Sequence, residues 1–125
     1  VNWLSELKFI QDENLFFDDL IKSYTLQLID SKYFNKSKEI IDELKTIKAE
    51  TNKVLEVVTL HNRALQILVD DIDQVKEEEA FRKEHMRLII DVSNFQKKHR
   101  DIKKRVFKLI KEIIKEGKQK RLLSS

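Results

Sequence analysis

Hydrophobic residues recur at alternating spacings of four and three along the middle of the chain, between residues 38 and 75. The ladder consists of Ile40, Leu44, Ile47, Thr51, Val54, Val58, His61, Leu65, Leu68, Ile72 and Val75. Such a heptad pattern is typical of a long helix that presents one seam to partner helices. We therefore predict a central helix over residues 37–75.

Two further ladders precede and follow this segment. The first runs through Trp3, Leu7, Ile10, Asn14, Phe17, Ile21, Tyr24 and Leu28, and the last runs through Phe81, His85, Leu88, Val92, Phe95, His99, Ile102, Val106, Leu109 and Ile113. They predict helices near residues 2–30 and 80–116, with Asn2 or Ser5 capping the first helix. Gly117 follows the last periodic turn, where a glycine can end a helix. We expect residues 117–125 to form a basic tail.

The two connections are predicted from changes in the phase of the ladders. The first ladder loses its phase within residues 31–35, so we place a turn there, with Asn35 or Ser37 as the next N-cap. The second break is expected within residues 76–80, because Phe81 restarts a ladder out of step with the central one. The hairpin would then turn near residue 78. The alternative is one continuous helix over residues 35–116, roughly 120 Å long, whose seams a swapped second chain would cover.

Composition favours an all-helical fold. The 125 residues are 41% hydrophobic and 38% charged, with one glycine and no proline, a balance typical of long helices with charged outer faces. Strands would need turn residues that this chain lacks. We predict a single all-α domain, an elongated antiparallel up-down-up three-helix bundle. Its longer second and third helices should extend beyond the first at the end that carries residues 69–81.

A second apolar seam accompanies the first on the central helix. Val57, Leu60, Ala64 and Ile67 lie about 100° from the main seam, since neighbouring helical residues are separated by that angle. In a three-helix bundle this seam is either covered within the monomer or left as a protein–protein surface. The simplest such surface is a homodimer in which two central helices pack together into a larger bundle.

Three histidines are the candidates for metal chemistry. His61, His85 and His99 occupy seam positions, where a polar side chain costs stability unless it is hydrogen-bonded. His85 and His99 lie roughly 21 Å apart along one helix and cannot share a metal, whereas a turn near residue 78 would allow His61 and His99 to do so. No carboxylate stands three residues before any histidine, unlike the Glu-x-x-His of di-iron bundles. We predict no metal or cofactor, and we expect Asn14 and Thr51, also on seams, to fix register.

Positive charge is concentrated towards the end of the chain. Residues 97–121 hold twelve basic and three acidic residues, so this segment carries +9 and the rest of the chain −6. The basic patch consists of Lys97, Lys98, Arg100, Lys103, Lys104, Arg105, Lys108 and Lys111. It would suit a phosphate backbone or an anionic membrane surface. Because Phe95 and Phe107 belong to or border the apolar stripe, base-stacking platforms are missing. We expect the charges to pair with acids of the first two helices or to face solvent.

Two short segments near the starts of the first and second predicted helices carry a family resemblance. Trp3-Leu4-Ser5-Glu6-Leu7, with Phe9 and Glu13 after it, and Ile41-Asp42-Glu43-Leu44-Lys45 resemble an uncharacterised family of small all-helical bundle proteins, chiefly from Bacteroidetes-type bacteria. The resemblance extends over nearly the whole chain. It implies a helical bundle and brings no active site to transfer.

Function has to be predicted without a catalytic, nucleotide-binding or zinc motif. The absence of cysteine excludes disulfides and thiol chemistry, and no run of about 18 apolar residues predicts a membrane span. Because the chain begins with Val1, we expect a processed or trimmed N-terminus, and the lack of a signal peptide carries little weight. We predict a non-enzymatic cytoplasmic scaffold that acts through contacts with a protein partner or itself, with no small-molecule substrate. The alternatives are metal binding by His61 and His99, and nucleic-acid or anionic-surface binding by the basic patch.

Overall fold

The computed structural model describes residues 2–30, 32–70 and 74–124. Four helices hold 93% of these residues: α1 (Trp3–Ser23), α2 (Thr25–Leu28), α3 (Phe34–Asp70) and α4 (Val75–Leu123). No strand occurs within the described ranges. The prediction of an all-helical protein is confirmed.

α1 begins at its predicted cap and ends earlier than predicted. The Asn2 side-chain oxygen accepts a hydrogen bond from Ser5 N at 3.1 Å, which satisfies a free amide of the first turn. The sequence predicts one helix to residue 30, but α1 ends at Ser23 and the four-residue α2 follows. The Thr25 hydroxyl donates to the Lys22 carbonyl at 2.9 Å, and the Ser23 hydroxyl also bonds a carbonyl one turn back. Such bonds compete with the helical pattern and bend or interrupt helices.

The first connection lies where the ladder loses its phase. α3 begins at Phe34, inside the predicted turn, of which Ser31 lies outside the described residues. Tyr33 N donates to the Asp30 carbonyl at 2.9 Å, and Lys32 N donates to the Asp30 side chain at 3.0 Å. An aspartate side chain therefore closes this turn without glycine or proline.

The second connection precedes its predicted position. α3 ends at Asp70 and α4 begins at Val75, so the predicted break near residue 78 falls inside α4 and is wrong. Glu77 and Glu78 occupy the first turn of α4, where carboxylates meet the positive end of the helix dipole. The acidic run therefore follows the break. Of the last two residues placed on the central ladder, Val75 is exposed and Ile72 lies outside the described residues.

α3 and α4 lie side by side and do not form one continuous rod. His61 Nε2 and His85 Nδ1 are 3.0 Å apart. In an uninterrupted helix, their separation of 24 residues would amount to about 36 Å. The alternative of a single helix over residues 35–116 is therefore not the arrangement within this chain.

α4 continues through Gly117 to Leu123, so the predicted helix end at Glu116 and the tail of residues 117–125 are corrected. A Cβ added at Gly117 would meet no atom within 4 Å, so neither close packing nor a turn requires a glycine there. Lys120 and Arg121 fill the last turn, where cations meet the negative end of the dipole. These charges favour a helix that extends past the glycine.

The core of the fold consists of ladder residues from α1, α3 and α4. The buried apolar side chains of these helices are Leu7, Ile10, Phe17, Ile40, Leu44, Ile47, Val58, Leu88, Val92, Phe95, Ile102, Val106, Leu109, Ile110 and Ile113. Backbone approaches are closest between α1 and α3 and between α3 and α4. α4 reaches α1 through longer side chains, such as Phe107, whose ring centroid is 5.8 Å from that of Phe17.

Cross-helix bonds define which residues lie beside each other. The pairs between α1 and α3 are Gln11–Asn52, Asn14–Thr51 and Asp18–Lys48, and those between α3 and α4 include Lys36–Glu112, Glu50–Lys98 and His61–His85. In both sets, rising residue numbers on one helix meet falling numbers on the other. Between α1 and α4, the residue numbers of both helices increase from the pair Glu6–Gln96 to the pair Glu13–Lys103.

α3 and α4 extend past the start of α1. Trp3, in the first turn of α1, stacks on His85 with ring centroids 5.2 Å apart. Farther along, ladder residue Leu65 of α3 is 45% exposed, whereas ladder residues from Ile40 to His61 are buried or half-buried. We call residues 62–70 of α3 and 75–84 of α4 the tip, which agrees with the predicted overhang.

Candidate functional site

A groove of about 650 Å³ lies between α3 and α4 at and beside the tip. α3 lines it with Val57, Leu60, His61, Ala64, Ile67 and Leu68, and α4 lines it with Glu77, Ala80, Phe81, Glu84 and Arg87, with Gln74 at the N-cap of α4. We call this surface the tip groove. All four residues predicted as an interaction surface, Val57, Leu60, Ala64 and Ile67, belong to its α3 wall.

The α3 wall of the groove is apolar and open to solvent. Leu60 is 54% exposed and Ile67 is 60% exposed, and Val57 and Ala64 on the same strip are also exposed. The four residues follow spacings of three and four, so they form one continuous strip. Within the monomer this second seam is therefore not covered, which was one of the two alternatives left open by the sequence.

The same side of α3 changes character halfway along the helix. Residues 36, 43, 50, 57 and 64 are separated by sevens, as are residues 39, 46, 53, 60 and 67, so each set shares one side of the helix. In the first half, Lys36, Glu39, Glu43 and Glu50 form ion pairs with Glu112, Arg105 and Lys98 of α4. In the second half, the equivalent positions hold Val57, Leu60, Ala64 and Ile67. Four ion-paired positions of the first half thus correspond to apolar, uncovered positions in the second, with Thr46 and Lys53, which form no ion pair with any described residue, between them.

The α4 wall of the groove is acidic. Arg87 Nε donates to Glu84 at 3.0 Å and Arg87 Nη1 donates to Asp91 at 3.0 Å. The bond from Arg87 is the main reason that the pKa of Glu84 lies below its ordinary value. Glu77 makes no hydrogen bond or ion pair with any described residue. The wall therefore holds two carboxylates, Glu77 and Glu84, and one arginine that also bonds Asp91 beside the groove, which leaves it with net negative charge.

A stack of four rings forms the floor of the groove and the surface beside it. His61 Nε2 and His85 Nδ1 lie 3.0 Å apart, the Phe81 ring stacks on His61 at 4.1 Å between centroids, and Trp3 covers His85. A hydrogen bond between two imidazoles needs one N–H and one bare nitrogen, so this contact forms when at least one ring is neutral. Burial, and then the neighbouring His85, lower the pKa of His61.

The structure does not bring His61 and His99 together. Because α3 ends at Asp70 and α4 already begins at Val75, His85 faces His61, and His99 lies 14 positions farther along α4, about 21 Å away. The proposed shared metal site of His61 and His99 is therefore corrected. Across the described ranges, no group of three or more His, Cys, Asp or Glu side chains is arranged to hold a metal ion.

His99 belongs to a separate buried polar layer between α1, α3 and α4. His99 Nε2 lies 3.3 Å from Asn14 Oδ1, an oxygen that can only accept, so Nε2 carries the proton. Asn14 Nδ2 donates to Thr51 Oγ1 at 3.0 Å, and Thr51 Oγ1 donates to the Ile47 carbonyl at 2.6 Å. Burial is the largest cause that lowers the pKa of His99. The layer joins two of the polar seam residues noticed in the sequence, and their role in fixing register stays a prediction.

The basic patch is divided between paired and unpaired charges. Lys98, Lys103 and Arg105 form ion pairs with acids of α1 and α3. The other five residues, Lys97, Arg100, Lys104, Lys108 and Lys111, have no hydrogen bond or ion pair with any described residue. Their spacings of three and four place them along one exposed stripe of α4, which we call the basic stripe.

Sequence reasoning missed the His61–His85 pair and the acidic wall. Both follow from the position of the second connection. Gln74 followed by Glu77 and Glu78 is a plausible start for a helix, because carboxylates favour the first turn. A helix start at Gln74 and Val75 would have placed His85 opposite His61 and Glu84 beside the apolar seam.

Comparison with known proteins identifies no relative with which the tip groove could be compared. Across residues 2–30, 32–70 and 74–124, no helix combines the length and the apolar character that crossing a membrane requires. No family model, curated protein or solved structure matches the chain.

Proposed function

We propose that this chain is a non-catalytic helical interaction protein that binds a protein partner in the tip groove. We also propose that α1, α3 and α4 form the elongated antiparallel up-down-up three-helix bundle that presents this groove. The opposing order of residue numbers in the α1–α3 and α3–α4 pairs supports the bundle. Neighbouring helices joined by short connections pack in this way.

One observation supports a role in binding above the others. Along one side of α3, the heptad set that holds the ion-paired Lys36, Glu43 and Glu50 continues with the exposed apolar residues Val57 and Ala64. The neighbouring set begins with the ion-paired Glu39 and ends with the exposed aliphatic residues Leu60 and Ile67. Exposed apolar residues scattered singly are ordinary on protein surfaces, whereas a continuous strip beside a groove is typical of interaction sites. A strip that replaces charges only in the uncovered half of the helix fits a partner docked there.

The polar groups of the groove support binding in preference to catalysis. His61 and His85 are bonded to each other, and Glu84 is bonded to Arg87. A catalytic base or nucleophile has to reach its substrate with a free atom. The surface offered to a ligand is therefore chiefly aliphatic, with carboxylates at its edge.

Site-specific photo-crosslinking tests this proposal. A photoreactive residue is placed at position 60 in the groove or at position 46, which is also exposed and belongs to the same heptad set of α3. After irradiation in cells of the source organism, we expect a discrete protein adduct from position 60 alone. The protein identified by mass spectrometry is then purified and titrated against the chain and its Leu60→Glu variant, and this substitution should remove binding.

Three outcomes of this experiment would contradict the proposal, and a fourth would identify the partner as a second copy of the chain. Equal adducts from both positions, no adduct from position 60, or unchanged binding by Leu60→Glu would contradict docking in the groove. An adduct with a second copy of the chain, together with a dimer in light scattering that Leu60→Glu dissociates, would identify the partner as the chain itself. That result would retain the interaction proposal in its homodimer form.

The basic stripe supports a second candidate function, which is binding of an anionic surface such as nucleic acid. Its five charges are not neutralised by the acids that pair with Lys98 and Arg105. Binding to a phosphate backbone should weaken steeply as salt increases, because counterions are released. The double substitution Lys104→Gln and Lys111→Gln should reduce that slope, and replacing the paired Lys98 should change it less. Undetectable binding of a short duplex at low salt would eliminate this candidate.

A further inference from the structure

The tip groove has one apolar wall and one acidic wall. We infer that its occupant is a basic amphipathic helix from a partner protein. The inference rests on the proposed function and specifies the chemistry of the partner. It depends on the charges of α4 and on the length and shape of the α3 wall.

The charges of α4 are matched by α3 in one half of the molecule only. Residues 77, 84, 91, 98 and 105 are separated by sevens and share one side of α4. Lys98 and Arg105 form ion pairs with acids of α3. Glu77 and Glu84 line the groove opposite the apolar α3 wall, and neither they nor Asp91 form an ion pair with the described residues of α3. Their only cation among the described residues is Arg87, shared by Glu84 and Asp91.

A partner that covers the groove therefore has to supply cations to α4 and apolar side chains to α3. Carboxylates that lose water on docking cost free energy unless they are paired. Basic residues along one edge of an incoming helix would meet Glu77 and Glu84 at the rim, where opposite charges steer association and select the partner. An acidic or uncharged partner would leave Glu77 without a cation and Glu84 with only the arginine that it shares with Asp91.

The α3 wall fits one face of a helix. Val57 and Ile67 are ten positions apart, which corresponds to about 15 Å or nearly three turns. Ala64 is small and lies between Leu60 and Ile67, so a bulky side chain of the partner can sit over it. Helices that dock in grooves present apolar anchors at spacings of three, four and seven, and such anchors match this length.

A second copy of this chain could cover the apolar wall of the groove, but it would not supply cations to the acidic wall. If two α3 helices packed about a two-fold axis, the flank beside Leu60 would bring Glu56, Arg63 and Asp70 of the other copy, which have no surplus positive charge. The charges therefore favour a different polypeptide.

Two synthetic peptides test the inference on the purified full-length chain. Each has about 18 residues, or five turns, with leucines at spacings of three and four along one face. The Lys peptide carries lysine on both flanks of the leucine stripe, and the Glu peptide carries glutamate at the same positions. Affinities are measured by fluorescence anisotropy of the labelled peptide at low and high salt.

We expect the Lys peptide to bind at least about tenfold more tightly than the Glu peptide at low salt, and this preference should shrink at about 0.5 M salt because the rim charges are screened. Leu60→Glu should abolish binding. Glu77→Lys should weaken binding of the Lys peptide by roughly three- to tenfold. Its matched control is Glu78→Lys, which makes the same charge change in the same first turn but outside the groove, and which should leave affinity within about twofold.

Five results would contradict the inference that a basic helix occupies the groove. Equal affinity for the two peptides, tighter binding of the Glu peptide, no binding of either, or equal effects of Glu77→Lys and Glu78→Lys would overturn the basic-helix inference. If crosslinking at position 60 still identifies a partner, the proposed function survives that failure. A dimer of the chain alone that Leu60→Glu dissociates would assign the groove to a second copy and would also overturn the inference. Melting curves of the variants establish that each remains folded.

Discussion

In two sections of the molecule, a histidine occupies the same kind of seam position but bonds to a different kind of partner. In the central section, His99 lies among three helices and bonds to Asn14, whose oxygen can only accept a hydrogen bond. Near the tip, His61 bonds to His85, a ring that can donate or accept the hydrogen bond. Heptad position alone does not distinguish the two histidines.

The difference arises from how many helices surround each histidine. α1, α3 and α4 all contribute to the layer around His99, so its partner is a buried amide held in place from two sides. Near the tip, α1 contributes Trp3 at the start of the helix, where it stacks on His85. A section covered by three helices can define a fixed polar bond, whereas a section built mainly from two leaves aliphatic residues in solvent and a titratable pair beside them.

The largest expected difference concerns core packing in the central section. Phe17 is 1% exposed between the helices, so Phe17→Ala should reduce the free energy of unfolding by about 3–5 kcal/mol through lost burial and a cavity. Phe9→Ala makes the same change on the same helix at a side chain that is 62% exposed. It should cost less than about 1 kcal/mol. Urea denaturation of both variants measures this contrast, and equal losses would contradict the assignment of the core.

A smaller effect is expected from the polar layer. Thr51→Val removes the hydroxyl that accepts from Asn14, and a buried amide without a partner costs about 1–3 kcal/mol. Thr46→Val is the matched control, because Thr46 is exposed on the same helix and its hydroxyl also bonds a carbonyl one turn back. That substitution should change stability by less than about 0.5 kcal/mol. If denaturation curves show similar losses for both, the Asn14–Thr51 bond contributes little.

The sequence predicted the central section well and the tip poorly, for a physical reason. Periodicity identifies which side of a helix is buried, and the buried residues Leu44, Val58 and Leu109 lie on the predicted seams. The pairing between helices depends instead on where the chain turns. No glycine or proline marks the second turn, and its misplacement by several residues assigned His61 to His99 when its partner is His85.

Helix ends were also difficult to predict, because local polar groups and distant residues act together there. Side-chain hydroxyls interrupt the first helix near Thr25, although the apolar ladder continues through that region. Gly117 has the residue type of a helix end, yet α4 continues past it to Leu123. The acidic wall required knowledge of both faces of the α3–α4 groove, which a pattern along one helix cannot provide.

Acid should destabilise the protein through both histidines. Burial lowers the pKa of His61 and of His99 below the ordinary value of 6.5, so below about pH 6.5 the unfolded chain binds protons that the folded chain resists. The free energy of unfolding should therefore fall as pH decreases from 6.5, by at most about 1.4 kcal/mol per pH unit for each histidine. Above about pH 8, where the unfolded imidazoles are almost fully deprotonated, these groups should contribute little slope. Urea denaturation across pH 5–8 measures the effect, and stability that is flat or rises on acidification would contradict it.

Substitution of His85 sharpens the contrast between the two histidines. His85→Gln removes a like charge from beside His61, so the pKa of His61 should rise, but it should stay below 6.5 because burial is the larger cause. The pKa of His99 should not change, since His99 lies about 21 Å away along α4. Imidazole proton signals followed by NMR during a pH titration report both values. A matching shift at His99 would show that the two sections are coupled.

The smallest expected effect belongs to the apolar wall of the tip groove. Ile67 is 60% exposed, so Ile67→Ser should change the free energy of unfolding by no more than about 0.5 kcal/mol. Ile47→Ser, the same substitution at a fully buried position of the same helix, should cost several kcal/mol, on the order of 3 or more. If Ile67→Ser lowers the free energy of unfolding by more than about 1.5 kcal/mol, this side chain packs within the monomer. That result would contradict the proposal that the groove is a docking site. An unchanged stability would mean that folding does not require isoleucine there, as the proposed contact with a partner predicts for an aliphatic strip whose equivalent positions in the first half of α3 hold polar, mostly ion-paired residues.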